Sequence, residues 1–109
     1  MGIYRKDERS KKPPLAGQAL RWTQHVLVRL LQRNINTDDV INALLTGEII
    51  ENYPTDYPHP SCLVLGIDIN RTHLHVVCGI ADQELWLITA YYPNTTEWEN
   101  DHKTRRRKL

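Results

Sequence analysis

The hydrophobic residues change their spacing once along this chain of 109 residues, at Gly47. Before Gly47 they recur about every 3.6 residues, which is the period of an amphipathic helix; after it they alternate, as in strands with one buried face. Helices in the first half and closely linked strands in the second favour helices that cover one face of an antiparallel sheet. This single change of period therefore predicts an α+β fold.

The boundaries of the helices and strands follow from caps, turns and prolines. A first helix is predicted over residues 17–33, and Asn36 is a suitable N-cap for a second helix that ends at Gly47. Segments of turn residues or prolines separate the strands that follow. These strands are predicted at 48–53, 61–68, 72–80 and 84–91. The expected architecture is thus two N-terminal helices packed on one face of a four-stranded antiparallel meander.

The net charge of +1 conceals an uneven distribution. Residues 1–14 hold five basic and two acidic side chains, and residues 103–109 hold five basic side chains and no acid. Residues 15–102 hold four basic side chains against eleven acids. We predict a single α+β domain at 15–102, between a flexible basic lead-in and a basic C-terminal tail. Since three of its four basic residues lie in the first helix, any polyanion contact must be narrow.

Composition also indicates where the chain works. No apolar run reaches the length of a membrane span, and the N-terminus lacks the apolar core of a signal peptide. We therefore expect a cytoplasmic protein without a membrane partner. Cys62 and Cys78 fall inside predicted strands, where free buried thiols are the commoner state, although a disulfide between neighbouring strands stays open.

Basic side chains recur at every fourth position of the first predicted helix, opposite a stripe of leucines. We call this row the ridge, and it comprises Arg21, His25, Arg29 and Arg33. The leucine stripe comprises Leu20, Leu27, Leu30 and Leu31. Guanidinium groups can clamp a phosphodiester, and an imidazole that titrates near neutrality can move a proton. The alternative interpretation is a solvated basic face of a helix.

Two histidines at alternate positions of a strand form a second candidate site. His73 and His75 point the same way, so both could bind one metal, with His59 or Cys62 as third ligand. No carboxylate or further cysteine stands at a recognisable spacing, so no metal site is predicted. The other interpretations are that His75 packs inside the protein, or acts as an acid–base group beside the ridge.

Aromatic and basic residues near the C-terminus are candidates for RNA contacts. Tyr91 and Tyr92 end the last strand, where they could stack on a base or bond a phosphate, or instead cap the core. Trp98 is expected to fold back onto the domain. The tail adds three candidate RNA-binding residues, Arg105, Arg106 and Arg107.

An ordered set of short motifs resembles the bacterial domain-of-unknown-function 4258 family. The motifs are His25-x3-Arg29-x3-Arg33-Asn34-Ile35, then Gly47–Glu51 with Tyr53-Pro54, Leu74–Val77, and Ile88–Tyr91 with Pro93 and Trp98. That family is similar in its helix-then-sheet layout to the RelE and BrnT ribonuclease toxins. Its members are often encoded beside a small zinc-ribbon protein that resembles an antitoxin. The resemblance implies a toxin of a type II toxin–antitoxin pair that acts on RNA, with a cognate small antitoxin, of zinc-ribbon type in the family pattern.

The leading hypothesis is a metal-independent endoribonuclease that cleaves RNA by attack of the 2′-hydroxyl and needs no cofactor. His25 or His75 would be the acid–base group, and Arg29 and Arg33 would hold the phosphate. Tyr91 would stack a base or assist proton transfer, while the remaining candidates would contact RNA: Arg21, Tyr92 and the tail arginines. A non-catalytic module that binds protein or nucleic acid is the alternative, and a metal-dependent hydrolase is the third hypothesis.

Overall fold

The computed structural model describes residues 19–81 and 83–107, so the lead-in predicted at 1–14 lies outside the described residues. The described part contains two helices and five strands. In chain order they are β1 (Ala19–Arg21), α1 (Gln24–Gln32), α2 (Thr37–Thr46), β2 (Glu48–Tyr53), β3 (Ser61–Ile67), β4 (His73–Ala81) and β5 (Glu84–Tyr91). Neither helix is long and apolar enough to cross a membrane.

The strands form one mixed sheet in the order β1-β5-β4-β3-β2. Strands β2 to β5 pair antiparallel with their chain neighbours. Strand β1, however, pairs in parallel with β5, Ala19 lying opposite Glu84 and Arg21 opposite Trp86. The prediction of a four-stranded antiparallel meander is therefore wrong: the molecule is α+β with two helices on a five-stranded mixed sheet.

The error arose from the helix predicted over residues 17–33. Within the described residues α1 begins only at Gln24, because Thr23 takes an extended backbone and its Oγ1 accepts the N–H of Val26 at 3.1 Å. This N-cap leaves Ala19–Arg21 extended, so their backbone groups are free to pair with β5. Three residues are too few to show a period of their own.

The second helix begins where the sequence predicts. Asn36 Oδ1 accepts the backbone N–H of Asp39, and the Asp39 carboxylate accepts that of Asn36, both at 3.0 Å. This capping box satisfies two helix-end donors and is worth about 1 kcal/mol. Farther along, α2 lies so close to β3 that a Cβ on Gly66 would stand 2.0 Å from the Ala43 carbonyl oxygen. Glycine at position 66 is thus what lets α2 reach the sheet.

The main core lies between the helices and the sheet. Helix α1 contributes Val26 and Leu30 to it, whereas Leu31 is 78% exposed and Leu27 is also exposed. The predicted leucine stripe is therefore wrong for those two residues and for Leu20, which lies in β1, and the buried face of α1 is turned towards the ridge. The other core residues are Ile35, Val40, Ala43, Leu44, Cys62, Val64, Leu74, Val76, Cys78, Leu87 and Ala90. Both cysteines are free and buried, as predicted.

The opposite face of the sheet is covered by residues 94–107, which we call the C-terminal segment. This segment turns back on itself, with a bridge between Trp98 and Arg105 and a backbone bond from Arg106 to Glu97. Trp98 is 1% exposed and packs against His75 of β4. The prediction that Trp98 folds back onto the domain is confirmed.

Candidate functional site

A cleft of about 230 Å³ runs along the seam between α1 and β5. Because Val26 and Leu30 fix α1 against the sheet, the residues beside them on the helix lie along this seam. The α1–β5 cleft is lined by His25, Val26, Arg29, Leu30, Arg33, Ile88 and Thr89. One helix thus brings three of the four ridge residues into one cleft.

Arg33 is held against β5 at the end of the helix. Its Nη1 donates to Thr89 Oγ1 at 3.0 Å and to the Ala90 carbonyl at 2.8 Å. The strand is bulged here: Leu87 and Thr89 pair with consecutive residues of β4, so Ile88 is an extra residue. A guanidinium carries five N–H donors, so this anchor leaves most of the group available to an anion.

His25 and Arg29 are exposed in the cleft and form no hydrogen bond or ion pair with any described residue. Elsewhere in the described chain, four cations are paired with carboxylates: Arg21, Lys103, Arg105 and Arg106. None of the residues within 19–81 and 83–107 that line the α1–β5 cleft carries a carboxylate. An anion would therefore find positive charge there that no described residue compensates.

Arg21, the fourth ridge residue, lies elsewhere. It belongs to β1, and its Nη2 stands 2.7 Å from a Glu84 carboxylate oxygen at the edge of the sheet. The prediction that Arg21 shares a helix face with His25 is therefore wrong.

His75 and Tyr91 lie together under the C-terminal segment. The His75 ring is fully buried, with its Nε2 2.6 Å from the His102 carbonyl oxygen and its Nδ1 3.4 Å from the Tyr91 hydroxyl. The carbonyl can only accept, so Nε2 carries the proton and Nδ1 faces the hydroxyl as an acceptor. Burial lowers the pKa of His75, partly offset by the bond to His102, and also raises that of Tyr91. Neither side chain lines the α1–β5 cleft.

The histidine pair is not joined by further ligands. The rings of His73 and His102 lie 4.5 Å apart, and Cys62 belongs to the core on the helix side of the sheet. Among residues 19–81 and 83–107 no three His, Cys, Asp or Glu side chains are grouped to hold a metal ion.

The remaining candidates for RNA contact mostly have partners within the protein. Arg105 donates to both carboxylate oxygens of Glu51, at 2.8 and 3.0 Å, and lies 4.5 Å above the ring of Trp98. Arg106 pairs with Glu99, and the Tyr92 hydroxyl donates to Asp68 at 2.8 Å. Arg107 is exposed.

The sequence analysis did not name Val26 of α1, and it named Ile88 and Thr89 of β5 only within the Ile88–Tyr91 motif, not as walls of a cleft. In a regular strand Ile88 and Thr89 would point to opposite faces, so alternation alone cannot place both in one wall. The bulge that does so leaves no signal in the sequence.

Comparison with known proteins identifies one family. Residues 22–92 match the family described as "Domain of unknown function (DUF4258)". No curated protein and no solved structure matches the chain. The matched region includes the α1–β5 cleft, His75 and Tyr91, but not Arg21 or the C-terminal segment. Because the match covers well over half of the chain, the protein belongs to the DUF4258 family.

Proposed function

We propose that the protein is a metal-independent endoribonuclease whose active site is the α1–β5 cleft, and that it acts in the cytoplasm as the toxin of a type II toxin–antitoxin pair. The observation that carries this proposal is the grouping of one imidazole and two guanidinium groups in a cleft to which the described part of the chain contributes no carboxylate. The resemblance of the DUF4258 family to RelE and BrnT toxins adds the pairing with a small antitoxin, of zinc-ribbon type in the family pattern.

The chemistry needs few groups because RNA supplies its own nucleophile. His25 removes the proton of a 2′-hydroxyl, and the resulting oxygen attacks the adjacent phosphorus. Arg29 and Arg33 balance the negative charge that grows on the phosphorane oxygens, and the anchored Arg33 fixes the position of the phosphate. The P–O5′ bond then breaks, and the leaving oxygen takes the proton held by His25. The products are a 2′,3′-cyclic phosphate and a free 5′-hydroxyl.

Cleavage of RNA by purified His25→Ala tests this proposal. We expect the rate to fall at least about 100-fold, which is typical for loss of a general acid–base group. His73→Ala is the matched control, since it removes an exposed imidazole outside the cleft. The readout is the appearance of cyclic-phosphate ends on a labelled RNA, with folding checked by circular dichroism. Wild-type cleavage rates in a folded His25→Ala protein would contradict the assignment.

A non-catalytic binding module is the second candidate, and an apolar strip on α1 favours it. Leu27, Val28 and Leu31 are exposed on this helix. Such a strip is typical of a surface that binds another protein, and within the leading proposal it would receive the antitoxin. The two candidates differ in cells: only a toxin stops growth when it is induced and is relieved by a neighbouring gene. Absence of growth arrest and of RNA cleavage would favour the binding module.

A further inference from the structure

A larger and mostly apolar pocket adjoins the α1–β5 cleft. Its volume is about 450 Å³, and Val26 and Ile88 are walls of both. The walls that this pocket does not share with the cleft include Tyr57 and Pro58 of the β2–β3 loop and Trp86 of β5. The size is within the range of pockets that bind small organic groups. A ligand held in the cleft would therefore extend into this pocket without leaving the protein surface.

Two aromatic side chains of the pocket are open to solvent. Tyr57 is 95% exposed and Trp86 is 37% exposed. Trp86 lies opposite Gly79 of β4, so no side chain from that position covers its ring. Exposed aromatic rings beside a cationic groove are the usual means by which proteins hold single-stranded nucleic acid, since every base offers a flat face for stacking.

The two cavities differ in the charge of the side chains that line them. As far as the structure describes the chain, the α1–β5 cleft has two arginines and no carboxylate. The adjoining pocket has Asp56 and His59 but no arginine or lysine among its described walls. A phosphate is attracted to the first and repelled from the second. The second cavity suits an uncharged, flat group that is attached to the phosphate.

We propose that this second cavity, which we call the Trp86 pocket, binds a nucleobase of the single-stranded RNA whose phosphate occupies the α1–β5 cleft. The inference rests on the proposed function and adds the substrate class. In a duplex the bases are stacked and paired, so a base can reach Trp86 and Tyr57 only from an unpaired strand. The pocket would therefore make the enzyme select single-stranded over double-stranded RNA.

The test compares binding of three fluorescein-labelled probes by anisotropy: an oligouridylate of about eight nucleotides, an abasic chain of the same length, and an RNA duplex. We expect Trp86→Ala to bind the oligouridylate roughly tenfold more weakly than wild type does, and Trp86→Phe to keep most of the affinity. The abasic chain should bind wild type and Trp86→Ala equally, and the duplex should bind wild type more weakly than the oligouridylate.

Two further variants keep the result interpretable. Tyr57→Ala removes an almost fully exposed side chain and should also weaken oligouridylate binding without affecting the fold, while Leu45→Ala truncates an exposed apolar residue outside the pocket and should have no effect. Arg29→Ala should weaken binding of the oligouridylate and the abasic chain alike.

The outcomes separate this inference from the proposed function. If Arg29→Ala loses RNA affinity but Trp86→Ala and Tyr57→Ala do not, the nucleobase pocket is wrong and the phosphate cleft stands. This is also the expected result if a protein segment covers the pocket. If wild type fails to bind any of the probes, or Arg29→Ala binds them as wild type does, the proposed function is contradicted.

Discussion

The α1–β5 cleft and the opposite face of the sheet contain the same kinds of side chain, but they differ in whether these side chains have partners within the described protein. Each has a histidine beside a strand and arginines within reach of an aromatic or hydroxyl group. Under the C-terminal segment, His75 contacts His102, Tyr91 and Trp98. In the cleft, His25 and Arg29 have no described partner. The difference teaches that the partners of a residue, and not its type, separate a structural group from one available to a ligand.

The two regions also differ in what holds them together. The cleft results from apolar packing, because Val26 and Leu30 hold α1 to the sheet and the adjacent polar residues remain exposed to solvent. The far face is held by the polar residues themselves together with Trp98. Substitutions should therefore cost stability on the far face and ligand binding in the cleft.

The largest expected effect on stability belongs to Trp98. Trp98→Ala should lower the free energy of unfolding by about 3–5 kcal/mol, because the ring is buried and contacts both His75 and Arg105. Urea denaturation measures the change. Trp86→Ala is the matched control: this partly exposed ring should cost about 1 kcal/mol. Equal losses in the two variants would show that the C-terminal segment does not stabilise the sheet.

A smaller effect is the dependence of stability on pH through His75. Burial lowers the pKa of this residue in the folded protein, so the unfolded chain binds a proton more readily. The contribution to stability is therefore complete above the ordinary pKa of about 6.5 and is lost as the pH falls below it towards the folded value. His75→Gln, which keeps a donor for the His102 carbonyl but does not titrate in this range, should flatten the curve as the pH falls below about 6.5.

The measurement is the urea denaturation midpoint of wild type and of His75→Gln, taken above and below a pH of about 6.5. Glu51, Asp68 and Asp101 also have lowered pKa values, but those carboxyl groups act at more acid pH. An unchanged slope in His75→Gln would mean that His75 is not held neutral by burial.

Much of the fold could be predicted because the signals are local. The Asn36 cap is a short-range pattern, and two predicted strands, 48–53 and 84–91, agree with β2 and β5 at both ends. The β1 strand could not be predicted, since its pairing with β5 joins residues more than sixty positions apart and three residues carry no period.

The site was predicted only in part, for a related reason. The spacing of His25, Arg29 and Arg33 places them on one helix face from local geometry alone. Whether that face opens into a cleft depends on which neighbouring residues are buried. The sequence predicts that Leu27 is buried, but in the structure Val26 is buried and Leu27 is exposed. His75 is also a histidine, but it is covered by the C-terminal segment through its bond to the His102 carbonyl. No short-range sequence pattern predicts this contact.

Binding of single-stranded RNA by Arg29→Ala and Arg105→Ala tests the central claim most directly. Each variant removes one guanidinium, the first from the open cleft and the second from a group already bonded to Glu51. We predict a loss of affinity of about tenfold for Arg29→Ala and almost none for Arg105→Ala, measured by fluorescence anisotropy at one salt concentration. The reverse result, with affinity lost only in Arg105→Ala, would place the RNA on the opposite face of the sheet and contradict the account.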